Sequence, residues 1–400
     1  MTRGRGMSRP AHIAMVNIPA HGHVNPSLEV MRELVARGHR VSYVNDPSFA
    51  EQIESTGARI VPHDTTLPFL KGAVAVDAAA KVHGMILEDA KVMLPRMREA
   101  FQDDRPDLVL YDFMAYVGRV LADGWGLPSI AILPSMVAWD GFEEDTEDRF
   151  GMMRESLAAE RYPERFAQWL VENGLEPRDP FAYMLRPDHG IAVIPQAFQS
   201  NIDLVDPEVF SFAGPCLGPR EHQGGWTRPE GVEKVLLISL GSAFTHQPGF
   251  YRECLKAFGD LPGWHVVLQV GKATDLAELG EIPANMEVHR WVPQFAVLQQ
   301  ADAFVTHAGM GGCSEGLYCG LPMVAVPQAA DQFGNADRLV ELGVGRRLDT
   351  AEATAEALRS AVLELTGDPA VAARLAEISR EVRAGGGAAK AADLIEAALA

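Results

Sequence analysis

Two histidines directly after an apolar run could remove a proton from a hydroxyl group. His21 and His23 lie in the segment AHGHVNP (20–26), which follows the run His12–Pro19. Histidine titrates near neutral pH, so an imidazole here can act as a general base toward an alcohol. One or both rings could instead cap local backbone groups, and the spacing alone does not separate the two roles.

A general base usually needs a carboxylate that orients its ring. Asp112 ends the apolar run DLVLYD (107–112), and neighbouring parallel strands would bring its side chain to the edge that carries the histidines. An aspartate at the end of a strand is also a common helix N-cap. The sequence leaves both roles of Asp112 open.

The His-x-His pattern also occurs in metal-dependent hydrolases, in which both imidazoles bind the metal. That reading needs further histidine and acidic ligands on later strands of a barrel, and this chain does not supply them convincingly. The acidic run EEDTED (143–148) favours a solvated surface instead. The sequence has no Asp-x-Asp motif, and we expect no metal.

A glycine-rich segment, HAGMGGCSEG (307–316), follows the apolar run AFVT and opens a helical pattern. Glycines let backbone amides approach an anion closely, and a helix N-terminus favours negative charge. The pattern therefore indicates a diphosphate site, although a tight strand-to-helix turn is the structural alternative. The residues concerned are Gly309, Gly311 and Gly312. Glu315 could simply stabilise the helix dipole, and Ser242 could bind a phosphate or cap a helix.

Strand-like and helix-like segments alternate through both halves of the chain, which predicts doubly wound parallel sheets. Pro26 predicts the start of the first helix, and the segments Thr65–Lys91 and Glu143–Asp188 predict helices and loops. The predicted strands are 12–19, 41–45, 58–62, 107–112, 128–133, 235–242, 265–271, 286–291, 303–309 and 322–328.

The length of 400 residues predicts two domains. We place the first domain at 1–213, a linker at 214–231 and the second domain at 232–400. The carboxyl ends of both sets of strands would face a shared cleft, where open α/β sheets bind ligands.

The formal net charge of −19 argues against nucleic acid and anionic membrane surfaces as partners. The four cysteines lack Cys-x-x-Cys spacing, which fits a reducing cytoplasm. No signal peptide or membrane span is predicted. A homodimer is left open.

Three consecutive motifs resemble the donor-binding signature of the UDP-glycosyltransferases: WVPQ (291–294), HAGMGGCSEG and GLPMVAVPQAADQ (320–332). AHGHVNPSLEV and the SLGSAF region are similar to bacterial macrolide glycosyltransferases, including the enzymes that inactivate oleandomycin. The resemblance implies a GT-B fold of two Rossmann-like domains facing a central cleft. It assigns acceptor binding to the domain at 1–213 and nucleotide-sugar binding to the domain at 232–400, with the last helix packing back on the first domain. It also implies inversion at the anomeric carbon, a UDP-sugar co-substrate, and no metal or other cofactor.

The resemblance also assigns roles to individual residues. His23 would be the base and Asp112 its partner, while His21 keeps an open role. Trp291 would stack on uracil, and the Val292 backbone and Gln294 would fix the base and ribose. The remaining donor contacts would be Glu315 to the ribose, His307 with the glycine amides to the diphosphate, and Asp331 and Gln332 to the sugar hydroxyls.

The match departs from the plant signature after His307, where Trp-Asn-Ser is replaced by Met310, Gly311 and Gly312. Backbone contacts to the phosphates would therefore replace side-chain contacts. Fixed dipoles, together with His307 as a cation, would stabilise the leaving diphosphate.

The acceptor is expected to be a hydrophobic small molecule, with Met136, Trp139 and Phe142 among the candidate lining residues, although such residues are equally ordinary core. UDP-glucose is the expected donor, and a TDP-deoxysugar is the alternative. A Rossmann oxidoreductase is disfavoured because the first strand leads into HGH and not into a glycine-rich turn. A catalytically idle sugar-nucleotide binding module would have no reason to pair His23 with Asp112.

Overall fold

The computed structural model describes residues 9–67, 79–218, 223–242 and 245–399. Parts of three segments named above lie outside these residues: the stretch Thr65–Lys91, the linker 214–231 and the SLGSAF region (239–244). The chain divides into two compact units. Unit 1 comprises residues 1–194, 201–217 and 386–400, and unit 2 comprises residues 195–200 and 218–385.

Unit 1 is built on a seven-stranded parallel sheet with the order β3-β2-β1-β4-β5-β6-β7. Its central strands are continuous apolar runs, as expected for strands that are covered on both faces. The strands are β1 His12–Val16, β2 Arg40–Asn45, β3 Arg59–Pro62, β4 Leu108–Asp112, β5 Ser129–Leu133, β6 Gly190–Ala192 and β7 Phe210–Phe212.

Eight helices of unit 1 lie between β1 and β6 in the chain. The segment predicted to hold helices and loops at Glu143–Asp188 contains three of them and most of a fourth, in agreement with the prediction. The helices are α1 His21–Ala36, α2 Ala50–Glu54, α3 Ala79–Ala100, α4 Val117–Trp125, α5 Phe142–Asp145, α6 Glu147–Ala159, α7 Tyr162–Glu172 and α8 Pro180–Leu185.

The predicted start of α1 at Pro26 is wrong. The helix begins at His21, after an extended Ala20 whose carbonyl accepts hydrogen bonds from the amides of His23 and Val24. Pro26 lies inside the helix, where it removes one backbone donor and is tolerated. Both histidines therefore lie in the first helical turn and not in a loop before it.

Unit 2 holds a six-stranded parallel sheet with the order β10-β9-β8-β11-β12-β13. Its strands are β8 Lys234–Ser239, β9 Trp264–Gln269, β10 Met286–His289, β11 Ala303–Thr306, β12 Met323–Ala325 and β13 Gly345–Arg347. Its helices are α9 Pro248–Phe258, α10 Gln294–Leu298, α11 Met310–Cys319, α12 Gln332–Glu341, α13 Ala355–Gly367 and α14 Pro369–Ala384.

The last helix, α15 (Gly387–Ala397), packs on α1 and completes the core of unit 1. Ile395 is fully buried there, and burying such a side chain contributes about 1.5–3 kcal/mol. Arg37 fastens the helix by donating hydrogen bonds of 2.7 Å to both Asp393 and Glu396.

The strand order reverses between β1 and β4 in unit 1 and between β8 and β11 in unit 2. Such switch points, at the carboxyl ends of the strands, are where doubly wound sheets bind ligands. Each unit therefore presents one candidate site of its own. In the described ranges, no helix has both the length and the apolar character needed to cross a membrane.

Candidate active site

His23 and Asp112 meet at the switch point of unit 1. The Nδ1 atom of His23 lies 2.8 Å from Oδ2 of Asp112. The aspartate is buried at 1% exposure, whereas the histidine side chain is 25% exposed. A carboxylate on Nδ1 favours the tautomer that carries its proton there, which presents Nε2 as the basic nitrogen.

Asp112 is also a cap, so one carboxylate makes both of the contacts that the sequence left open. Its Oδ1 atom accepts a hydrogen bond of 2.9 Å from the backbone amide of Met114, at the start of the short 3₁₀ turn Phe113–Ala115. Its two oxygens thus hold the histidine and the turn at once. This double use fixes the orientation of the carboxylate toward His23.

A buried polar network beneath α1 holds the backbone of His23. Asn17 donates through its amide nitrogen to the His23 carbonyl (2.9 Å) and to the Tyr43 hydroxyl (3.2 Å). Ser27 is hydrogen-bonded to the same hydroxyl at 2.8 Å. Burial raises the pKa of Tyr43 above its ordinary value, so the hydroxyl stays protonated.

His21 has different surroundings. Its side chain is exposed, and its ring centroid lies 5.0 Å from that of Phe49. The hydrogen bond to Asp112 belongs to His23. The geometry therefore distinguishes the two histidines that the sequence could not.

The turn after β11 in unit 2 has a strained backbone. Ala308 adopts a φ of 60°, a left-handed conformation that disfavours residues with a side chain. Its amide donates to the Thr306 hydroxyl, and its carbonyl accepts from the amide of Asn335 at 2.9 Å. Strain held in place by buried hydrogen bonds is typical of functional turns.

His307 lies between two glycines, each of which leaves room for its ring. A Cβ atom at Gly241 would lie 2.6 Å from His307 Cε1, and one at Gly309 would lie 2.4 Å from His307 Nε2. Any larger residue at either position would displace the imidazole. Gly309 is therefore needed for ring packing as well as for its backbone amide.

Burial lowers the pKa of His307 to about 4, and a contact with the Ser239 backbone offsets only part of this shift. The ring is therefore neutral at physiological pH. The predicted His307 cation concerns the state with the diphosphate bound and stays a prediction, whereas without ligand burial penalises the charged form.

Helix α11 begins at Met310 with Gly309 as its N-cap and without a side-chain cap. The amides of its first turn have no acceptors within the helix, which makes them donors for an anion. A Cβ atom at Gly311 would meet nothing within 4 Å, whereas one at Gly312 would lie 3.3 Å from the Thr306 hydroxyl. Ser242 is exposed, three residues after the end of β8.

Trp291 leaves 51% of its surface exposed, which is unusual for so large an aromatic residue and suits a stacking platform. The backbone of the next residue is fixed by a hydrogen bond: the amide of Val292 donates to the side-chain oxygen of Gln269 at 3.0 Å. Gln269 in turn donates to the Ser239 hydroxyl and the Gly241 carbonyl. Gln269 was not predicted as a site residue from the sequence. Its position as a polar residue at the end of β9 was the signal that could have identified it.

Gln294 and Glu315 lie together, as their proposed contacts to one ribose require. The amide of Gln294 donates to Glu315 Oε2 at 2.8 Å, and Glu315 is only 3% exposed. Gln294 is the first residue of α10, and its hydrogen bond orients the Glu315 carboxylate.

Asp331 and Gln332 differ in how much of each side chain is already engaged. Asp331 is exposed and accepts a 2.8 Å hydrogen bond from Asn335, the residue that also holds Ala308. The side-chain oxygen of Gln332 accepts from the amides of Gln328 and Ala329. Only the amide nitrogen of Gln332 is therefore left to contact a sugar hydroxyl. Asn335, which contacts both Asp331 and Ala308, was not predicted as a site residue from the sequence.

Two of the three predicted acceptor residues, Trp139 and Phe142, pack together in unit 1. The rings of Trp139 and Phe142 pack edge to face at 4.8 Å, and the indole nitrogen of Trp139 donates to Asp145 at 2.7 Å. Trp139 is buried, while Met136 and Phe142 are half-buried. Asp145 belongs to the acidic run 143–148, so part of that run supports an aromatic cluster.

Across the part of the chain that the structure describes, no group of three or more histidine, cysteine, aspartate or glutamate side chains is arranged to hold a metal ion. His21 contacts Phe49 and His23 contacts Asp112, so the two histidines of the His-x-His pattern have different partners.

Comparison with known proteins places this geometry in a family. A profile described as "Erythromycin biosynthesis protein CIII-like, C-terminal domain" matches residues 252–397. Oleandomycin glycosyltransferase of Streptomyces antibioticus is 53% identical over 98% of this chain and 91% of its own. Demethyllactenocin mycarosyltransferase of Streptomyces fradiae is 33% identical over 98% of this chain and 88% of its own.

Solved structures agree. The crystal structure of the kitacinnamycin glycosyltransferase covers 98% of this chain and all of its own, with 49% identity and a TM-score of 0.90. That of the calicheamicin glycosyltransferase CalG4 covers 98% of both chains, with 34% identity and a TM-score of 0.82. Full-length likeness at these identities extends to both units, and the chain belongs to the bacterial macrolide glycosyltransferases, GT-B enzymes that transfer a sugar to a natural product.

Proposed function

We propose that the enzyme transfers a hexose, glucose in particular, from a UDP-sugar to a hydroxyl of a hydrophobic natural product, with inversion at the anomeric carbon. The observation that carries the proposal is the 2.8 Å contact between His23 and Asp112 at the switch point of unit 1. A neutral imidazole that donates from Nδ1 to a carboxylate keeps a basic Nε2, which suits removal of a proton from an alcohol.

The reaction takes one step at the anomeric carbon. The acceptor hydroxyl gives its proton to His23 Nε2 as its oxygen forms the new bond to that carbon. The bond from the anomeric carbon to the diphosphate breaks, and UDP leaves with the electron pair. Asp112 stabilises the imidazolium that forms, and amides at the start of α11 stabilise the leaving diphosphate.

Different residues of unit 2 would bind the uracil, the ribose, the diphosphate and the sugar of the donor. The exposed Trp291 face stacks on uracil, and the Gln294–Glu315 pair binds the ribose hydroxyls. The turn at His307 and the backbone amides at the start of α11 receive the diphosphate. Asp331 then contacts the sugar.

The acceptor proposal follows the relative of 53% identity, whose name states that it glycosylates oleandomycin. The test is to incubate the purified enzyme with UDP-glucose and a panel of macrolides and polyphenols, and to identify products by mass spectrometry and the anomeric configuration by NMR. A product with retained configuration would contradict the single-displacement mechanism. Absence of transfer to the whole panel would contradict the acceptor class.

Activity is expected to survive EDTA. The proposed site stabilises the diphosphate with backbone amides and a helix N-terminus, which need no metal. The initial rate is measured before and after dialysis against EDTA, and then with added Mg²⁺ or Mn²⁺. A loss that either metal restores would contradict this mechanism.

UDP-glucose is expected to be preferred over a TDP-deoxysugar. Asp331 and the amide of Gln332 would lose partners when a sugar hydroxyl is missing, and a polar group that the bound sugar covers without pairing costs roughly 1–3 kcal/mol. This is enough for about tenfold discrimination in kcat/KM. The measurement is kcat/KM for UDP-glucose, UDP-galactose and a TDP-deoxysugar in the wild type and in Asp331→Ala.

A wild-type preference for the deoxysugar would instead support the alternative of a deoxysugar transferase, an activity of the kind named for the mycarosyltransferase relative. Asp331 also contacts Asn335, so the affinity for UDP alone is the control for a disturbed turn. An unchanged ranking in Asp331→Ala would exclude this residue as the origin of the preference.

A further inference from the structure

Gln269, the last residue of β9, lies between two segments that the proposed function assigns to the donor. In the sheet of unit 2, β9 lies between β8 and β10, and Gln269 is in register with Ser239 on one side and His289 on the other. The phosphate-side turn, residues 239–242, ends and follows β8, and the uracil-side segment, residues 291–294, follows β10. A side chain at the end of the middle strand can therefore reach both.

The side-chain amide of Gln269 bonds to both segments at once. Its oxygen accepts from the Val292 amide at 3.0 Å, and its nitrogen donates to the Gly241 carbonyl at 2.9 Å and to the Ser239 hydroxyl at 3.1 Å. Gln269 is only 6% exposed, so little solvent reaches these bonds. The oxygen and both hydrogens of the amide are therefore engaged within the protein.

The chemistry of the partners permits one orientation of this amide. The backbone amide of Val292 only donates, and the carbonyl of Gly241 only accepts. A flipped side chain would therefore face a donor with a donor and an acceptor with an acceptor. Because unpaired buried polar groups are costly, Gln269 is a fixed bridge between the two segments.

On the phosphate side, the bridge ends against His307. Gly241 has a φ of 77°, and a Cβ atom there would lie 2.6 Å from His307 Cε1. The Gly241 amide also donates to the Ser239 hydroxyl at 3.2 Å. The bonds from Gln269 to Ser239 and Gly241 therefore hold the backbone of this turn against the imidazole.

On the uracil side, the bridge fixes the residue between two proposed nucleotide contacts. Val292 is 3% exposed and follows Trp291, whose exposed face is proposed to stack on uracil. Gln294, two residues later, bonds to Glu315 at 2.8 Å, and this pair is proposed to bind the ribose. A displaced Val292 backbone would move both contacts relative to the turn that holds His307.

We propose that Gln269 is a positioning residue that sets the distance between the uracil-side segment and the phosphate-side turn. The enzyme would thereby select ligands that carry a base and a diphosphate together. The assignment rests on the proposed function and deepens its donor site. A two-part ligand binds more tightly when both halves of its site are held in place beforehand, because binding then orders less of the protein.

The test compares UDP, which spans both halves of the site, with uridine and inorganic pyrophosphate, which each fit one half. Gln269→Met keeps the length of the side chain and removes its donors and its strong acceptor. We expect the affinity for UDP to fall about tenfold or more, and the affinities for uridine and pyrophosphate to fall less than about threefold. Calorimetric titration measures UDP, and ligand-observed NMR measures the two weaker ligands.

Two further variants control for a general loss of structure. Asn285 donates bonds of 2.9 and 3.2 Å to the carbonyls of Phe258 and Trp264, at the other end of β9. Asn285→Leu should lower stability and leave all three affinities of the folded enzyme unchanged. Gln269→Asn keeps the amide but is one methylene too short to reach both segments, so it should show the same selective loss. It replaces Gln269→Met if that variant does not fold.

Transfer kinetics give a second readout that a merely structural residue would not produce. With an acceptor that the enzyme glycosylates, KM for UDP-glucose should rise about tenfold in Gln269→Met. KM for the acceptor should stay unchanged, because the bridge lies in unit 2 and the proposed acceptor residues lie in unit 1.

Equal losses for UDP, uridine and pyrophosphate in both Gln269 variants, or unchanged UDP binding in both, would overturn the proposal. Failure of the proposed function gives a different result, because TDP and thymidine are titrated in parallel. A wild-type preference for TDP would contradict the UDP donor, whereas a larger loss for TDP than for thymidine in Gln269→Met would still support the bridge. Binding of neither nucleotide would overturn both.

Discussion

Replacing His23 by alanine is expected to lower kcat by about two to four orders of magnitude, the usual contribution of a positioned general base. Nε2 of His23 is the proposed proton acceptor, and alanine leaves nothing in its place. Binding of UDP should persist, because the proposed nucleotide contacts belong to unit 2. Stopped-time assays give kcat, and calorimetric titration with UDP gives the affinity.

His21→Ala is the matched control for this prediction. The two residues lie in the same helical turn, but Asp112 bonds to His23 and Phe49 contacts His21. We expect His21→Ala to retain most of the activity. A large loss in His21→Ala together with near-normal turnover in His23→Ala would reverse the assignment and make His23 a structural residue.

The sheets were predictable from the sequence because their central strands are long apolar runs. The predicted strands at 107–112 and 128–133 differ from β4 and β5 by one residue at the start. Strands β6, β7 and β13 were not predicted and have three residues each, too few to show a hydrophobic period by themselves. The equally short β12 was found because it lies in the longer apolar run 322–328. The start of α1 was misplaced because Pro26 imitates a first-turn proline, while the extended Ala20 that precedes the helix gives no sequence signal.

Site residues could be predicted from the sequence where the chemistry requires a particular residue type. They could not be predicted where their role depends on tertiary contacts. His23 and Asp112 could be paired because parallel strands end at the same edge. The roles of Gln269 and Asn335 depend on which backbone groups face them, and no motif records that. The neutral state of His307 likewise follows from burial, which the sequence does not give.

Asp112→Asn tests how the base is oriented, and its expected loss in kcat is about three to four orders of magnitude. The wild-type carboxylate accepts two hydrogen bonds, from His23 and from the Met114 amide. An asparagine has one accepting oxygen. If that oxygen stays with the Met114 amide, the side-chain NH₂ faces His23 Nδ1 and forces the ring proton onto Nε2. The base would then be in the wrong tautomer to take a proton, the effect that makes such substitutions severe in catalytic triads.

The structural role of Asp112 predicts a different outcome, so the two can be separated. Loss of the cap alone would lower stability by about 0.5–2 kcal/mol and leave turnover per folded molecule unchanged. We therefore measure the free energy of unfolding, kcat corrected for the folded fraction, and the His23 tautomer by long-range ¹H–¹⁵N NMR. A positioning role requires Nδ1–H in the wild type, Nε2–H in Asp112→Asn, and a fall in kcat that stability does not explain. A retained Nδ1–H tautomer with normal corrected turnover would make Asp112 a cap and leave His23 to act without it.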